Sequence, residues 1–203
     1  MQFVHDPNLV RRHLEIIDRL FWRERRLPDV VLKESLSCRI FIEEALFSRL
    51  FFEKMKSFIT TLGEERFYLA IILADPDPNL EGKSIPIIEV SVHDEKQKYL
   101  DLLHGYGNDS PYSAVGHIAQ VSLIYSDSAK WGIHIDNHDL EIGVAGFADA
   151  ELKSVFVSVY DGNYVFTAKE VVEVVVENVF INVPGGVPMD IRDQLIKNYP
   201  ATC

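Results

Sequence analysis

The stretch that most constrains the fold is residues 130–147, KWGIHIDNHDLEIGVAGF. Two apolar, β-prone runs flank Asp136-Asn137-His138-Asp139, four residues whose side chains favour turns. Taken as a four-residue turn, this sets Ile135 opposite Leu140, Ile133 opposite Ile142 and Trp131 opposite Val144, with every large apolar side chain on one face. His134 then faces Glu141, and Gly132 faces Gly143. A hairpin with one buried face accounts for this pattern, because burial selects register. The tip, Asp136, Asn137, His138 and Asp139, is expected to project as an acidic contact for a basic partner. A metal site would instead need His134, Asp136 and His138 on one side of an uninterrupted strand. That path would put Leu140 and Ile142 out of phase with Ile133 and Ile135. No metal and no cofactor are therefore expected.

Other strand signals lie on both sides of this hairpin. RFYLAIIL (66–73) is a near-continuous apolar run, the mark of a strand buried on both faces. IPIIEVSV (85–92) and HIAQVSLIYS (117–126) are further strands. Asp161-Gly162 reads as a two-residue turn between SVFVSVY and NYVF. Strands over 117–125, 130–135, 140–147, 154–160 and 163–166 would then form a meander.

Helical periodicity is expected elsewhere. In 8–26, Val10, Leu14, Ile17 and Phe21 share one face, and Arg12, Arg19, Arg23 and Arg26 share the opposite one. Pro28 ends that helix. Residues 34–60 carry apolar residues on more than one side, as a helix inside the domain does. Residues 94–107 read as a short helix with a glycine stop. Thr167 and Glu170 form a capping box. The polar line Lys169, Glu173, Glu177 makes a helix of the β-branched run after it, and MDIRDQLIKN makes a short terminal helix. The expected architecture is one α+β domain over 1–203. Two N-terminal helices lead into a mostly antiparallel sheet, with helices packed on one side.

At 203 residues the chain can bury a substantial core, and no apolar stretch approaches a membrane span. No secretory h-region opens the sequence. Cys38 and Cys203 form no ligand cluster, so both are expected as reduced thiols in a cytoplasmic protein. The net charge of −11 is uneven: residues 1–60 hold 11 Lys/Arg against 9 Asp/Glu, and the rest 9 against 22. Such acidity disfavours nucleic acid and anionic membranes and favours a cationic partner.

Phosphate loops, dinucleotide fingerprints, H-E-x-x-H and Cys-x-x-Cys are absent. The loop 104–117 holds His104, Asp109, Ser110, Ser113 and His117, the residue types of a hydrolytic triad without a nucleophile-elbow spacing. The sequence therefore points to an acidic protein-binding module, of the kind that inhibits a cationic toxin domain. Its expected contacts are the 136–139 tip and a second loop with Asp75, Asp77 and Glu81. A small hydrolase using 104–117, or a structural subunit of an oligomer, are the alternatives.

Overall fold

A computed structural model describes residues 1–43, 49–73, 85–104, 119–137, 140, 142–160, 164–180, 186–200 and 203. Its frame is an antiparallel sheet. In chain order the strands are β1 (Gln2–Phe3), β2 (Cys38–Glu43), β3 (Arg66–Leu73), β4 (Ile87–Ser91), β5 (Ala119–Tyr125), β6 (Trp131–Asp136), β7 (Ile142–Phe147) and β8 (Val165–Phe166). They lie in the order β1-β4-β3-β5-β6-β7-β2-β8. The expected meander holds for β5-β6-β7.

Both faces of this sheet are buried. Trp131, Ile133 and Ile135 point to one side, with Ala145, Phe147 and Ile124. Val121, Leu123, Ile142 and Val144 point to the other. Over the first side lie α2 (Arg49–Thr61), α3 (Lys96–His104) and α4 (Ala150–Tyr160). Here the Phe58 ring meets Trp131 edge-on, with centroids 5.3 Å apart, and meets Phe156 the same way at 5.1 Å. Over the second side lie α1 (Pro7–Leu20), the segment 21–36 and two C-terminal helices. One of these, α5, runs through Ala168–Val171, a π-helical turn Val172–Val176, and Glu177–Val179. The other is α6, Met189–Asn198. The helices therefore cover both faces and not one, as a sheet with apolar residues at odd and even positions requires.

The double-sided burial explains the largest departure from the expected hairpin. The β6–β7 ladder pairs Trp131 with Phe147, Gly132 with Gly146, Ile133 with Ala145 and Ile135 with Gly143. Gly132 faces Gly146 instead of Gly143, and Ile135 faces Gly143 instead of Leu140. A single buried face fixes register strongly, but strands apolar on both sides lose that constraint.

Three other elements differ from expectation. The helix expected over 8–26 stops at Leu20, because Phe21 is extended and bridges Leu32. In the expected 34–60 helix, residues 38–43 are instead β2, paired along its whole length with β7. Among the described residues of that stretch, the helix is Arg49–Thr61. The strand expected over 154–160 is the body of α4. The Asp149 carboxylate accepts from the Leu152 amide at 2.9 Å, and Phe156 and Tyr160, one turn apart, stack with centroids 4.2 Å apart. A helix start thus overrides the β propensity of SVFVSVY. The Asp161-Gly162 turn lies outside the described residues. The capping box forms as the sequence implies: Thr167 Oγ1 accepts from the Glu170 amide at 3.3 Å, and Glu170 accepts from the Thr167 amide at 2.8 Å.

The two cysteines are not free thiols. Cys38, at the start of β2, is joined to Cys203 by a disulfide. Tyr199 carries the tail there. Its hydroxyl donates to the Asp29 carbonyl (2.8 Å) and accepts from the Val31 amide (3.0 Å), and its ring meets Phe41 edge-on. The expectation of a cytoplasmic protein rested partly on reduced cysteines, and that support falls away. Among the described residues, no helix is long and apolar enough to cross a membrane.

Candidate functional site at the acidic end of the sheet

Strand registers decide which connections share an end of the sheet. Glu43 pairs with Ile142, Leu73 with Ala119, and Val121 with Asp136. The ends of β2, β3 and β6 and the starts of β5 and β7 therefore lie together. Here the chain leaves or enters the sheet through residues 44–48, 74–84, 105–118 and 138–141. Those segments with Glu43 contain Glu44, Asp75, Asp77, Glu81, Asp109, Asp139 and Glu141 against the single Lys83, a net charge of −7. Both loops singled out in the sequence as partner contacts are thus anchored at one end. β3 and β6 are two strand spacings apart, about 10 Å. That is close to the Debye length at physiological salt, so charges borne on these anchors lie within one another's screening range.

Asp136 and Asn137 build the platform and are not its tip. Asp136 is 1% exposed, and its Oδ1 accepts from the buried Leu140 amide at 3.2 Å. The Asn137 amide donates to the Gln120 carbonyl at 3.0 Å. Its Nδ2 donates to the Ala119 carbonyl at 3.1 Å and to Ser122 Oγ at 3.0 Å. These bonds tie the end of β6 to the start of β5, so an expected exposed contact at Asp136 is corrected to a buried turn-holding carboxylate. His138, Asp139, Asp75, Asp77 and Glu81 lie outside the described residues. So do Asp109, Ser110, Ser113 and His117 of the alternative hydrolytic loop.

His134 sits one strand step inside this platform, between Leu123 and Val144. Its ring is 1% exposed, and among the described residues neither nitrogen finds a hydrogen-bond partner of good geometry. Burial, with the Arg26 charge adding to it, pushes its pKa down to about 3. A neutral imidazole in an apolar layer is a packing group here. Among the described residues, no three His, Cys, Asp or Glu side chains converge to hold a metal ion.

The opposite end of the sheet is built differently. Gly132 and Gly146 face each other across β6 and β7 and leave a notch in the second face. A Cβ on Gly132 would stand 2.6 Å from the Phe21 ring, and one on Gly146 would stand 2.7 Å from Leu32 Cδ1. The segment 21–36 fills this notch, which is why no side chain fits at either glycine. Residues 21–39 carry five cations against three acids. Arg23 pairs with Asp18 at 2.7 Å, and the Arg25 guanidinium lies 4.4 Å over the Trp22 ring. Of the basic stripe seen in the sequence, Arg12 also pairs with Asp127 at 3.3 Å, and Arg26 donates to the Arg23 carbonyl at 2.9 Å.

Sequence reasoning missed the disulfide, because 165 residues separate its cysteines and nothing local links them. It also missed the glycine notch, although two glycines flanking a histidine-bearing strand pair were visible as Gly132 and Gly146.

No family model, no curated protein and no solved structure matches the chain.

Proposed function

We propose that this chain is a protein-binding module whose acidic sheet end receives a partner with a basic surface, as an inhibitor of a cationic toxin domain does. The observation that carries the reading is that four connections are anchored at one end of the sheet, and their sequences together with Glu43 hold a net charge of −7. A charge concentrated in this way steers a cationic partner and orients it on arrival. The same field repels phosphate, so nucleic acid and anionic membrane are poor partners for this face. A cytoplasmic setting belongs to the proposal. It requires the Cys38–Cys203 bridge to be dispensable for binding, since cytosolic thiols are held reduced.

The test isolates a partner from the native host and measures its association with the wild type and with an Asp75→Lys, Asp77→Lys, Glu81→Lys, Asp139→Lys variant. Association should slow about tenfold or more at low salt, and the difference should shrink as salt rises. Equal rates for both proteins at low salt would remove the acidic end from the interaction.

A further inference from the structure

A second candidate site lies along β2, where the edge strand β8 covers only part of it. β8 pairs only with Phe41 and Ile42 of β2 before the chain turns at Thr167 into α5. Among the described residues, Cys38, Arg39 and Ile40 thus have a strand partner on the β7 side alone. A cavity of about 310 Å³ opens beside this uncovered edge. That volume falls at the small end of the range for small-molecule sites, about 300–1,000 Å³.

The walls of the cavity divide by chemistry. Phe41, Phe166, Ala168 and Tyr199 give it an apolar body, while Arg39 and Lys153 supply cations, and among the described residues no acidic side chain lines it. Lys153 Nζ is engaged by the Cys203 carbonyl at 3.1 Å. Among the described residues, Arg39 is held by neutral acceptors. Its Nε donates to the Leu36 carbonyl at 3.0 Å, and Nη2 reaches the Leu32 and Lys33 carbonyls at 3.4 and 3.5 Å. Among the described residues no carboxylate pairs with it. The guanidinium is therefore fixed in orientation by one edge, and among the described residues its charge has no ion-pair partner. Its carbon lies 5.8 Å from the centroid of the Tyr199 ring. A pre-positioned guanidinium beside aromatic walls suits a planar anion carried on an apolar group.

We propose that this cavity binds a small amphipathic carboxylate, with the carboxylate on Arg39 and the apolar body against Phe41, Phe166 and Tyr199. The site is independent of the acidic end and of any protein partner there.

The test titrates the oxidised full chain with phenylacetate, with the neutral phenylacetamide and with inorganic phosphate, followed by amide chemical shifts. Phenylacetate should give saturable shifts at 39–41 and 166–168, with the amide bound about tenfold more weakly or worse. Arg39→Gln should bring phenylacetate down to the level of the amide. Since Arg39 also pins three carbonyls, Ala168→Leu provides a second arm: it fills the cavity without touching the charge and should abolish the shifts. No saturable shift in the wild type, equal binding of acid and amide, or binding that survives Ala168→Leu would each overturn the proposal. Phosphate binding as tightly as phenylacetate would overturn the amphipathic ligand in favour of a bare anion.

Discussion

The two ends of the sheet solve opposite problems with the same strands. At the notched end, Gly132 and Gly146 admit the side chains of Phe21, Leu32 and Leu36 so closely that a Cβ at either glycine would stand within 3 Å of them. At the acidic end, hydrogen bonds accepted by Asp136 and donated by Asn137 hold strand ends in place, and the connections anchored there are acidic in sequence. Close packing tolerates no change of volume, whereas solvated charge tolerates most changes of sequence. The difference teaches where to look for each property: stability should reside at the notch and partner recognition at the acidic end.

The largest expected effect tests whether the notched end depends on its covalent tie. Cys38 pairs with Phe147 at that end, and its bond to Cys203 closes a separation of 165 residues. Loop closure of that length restricts the unfolded chain by up to about 5 kcal/mol. Chemical denaturation with and without reductant, and of Cys203→Ser, should show a loss approaching that limit. Identical midpoints in both states would mean that packing alone closes this end.

Next in size is the notch itself. Phe21→Ala should cost about 3–5 kcal/mol, the usual loss for a buried phenylalanine. Gly132→Ala should cost about 1–3 kcal/mol, because its Cβ meets the Phe21 ring at 2.6 Å. The double variant should cost less than the two singles together, since removal of the ring removes the clash. Strict additivity in urea unfolding would show that Phe21 is not what the glycine makes room for.

How much of this was legible in the sequence follows from the same physics. The strands at 66–73, 117–126 and 130–147 announced themselves because long apolar runs with β-branched residues have few other fates. The capping box at Thr167 and Glu170 was legible because it is a contact between residues three apart. The β6–β7 register was not, because alternation identifies a buried face only when the other face is polar, and here Ile133 and Val144 point to opposite layers. β2 was hidden inside a helical pattern, since CRIFIE has no neighbour in sequence that reveals its pairing with β7. The acidic loops were visible as charge, while their shared anchorage depended on strand order. Asp136 misled for a related reason: an aspartate in a turn is usually solvated, but this one ends β6 opposite Val121 and accepts from the buried Leu140 amide.

His134 offers a pH probe of the layer between the two ends. Its folded-state pKa, about 3, lies below the ordinary histidine value of about 6.5. Between those values the unfolded chain binds the proton and the folded one does not. Stability should therefore be level above about pH 6.5 and fall below it by about 1.4 kcal/mol per pH unit. His13, also lowered by burial, acts in the same direction. Urea midpoints at pH 7, 6 and 5 should show the decline, and His134→Leu should flatten most of it. An unchanged slope in His134→Leu would place the acid sensitivity elsewhere.

The smallest effect separates support from recognition within the acidic end. Asp136→Ala leaves the buried Leu140 amide without its acceptor, which should cost about 1–3 kcal/mol. Reversing Asp75, Asp77 and Glu81 to lysine should change stability by no more than about 0.5 kcal/mol each if those side chains serve a partner and not the fold. Binding should respond the other way round. The triple reversal should slow association with a basic partner, and Asp136→Ala, measured where it is still folded, should leave the low-salt rate within about twofold, because a buried carboxylate adds little to the outer field. Equilibrium unfolding and association kinetics on the same preparations give both readings. If the triple reversal destabilises as much as Asp136→Ala, the 74–84 connection is part of the packed structure, and the division of labour between platform and charge does not hold.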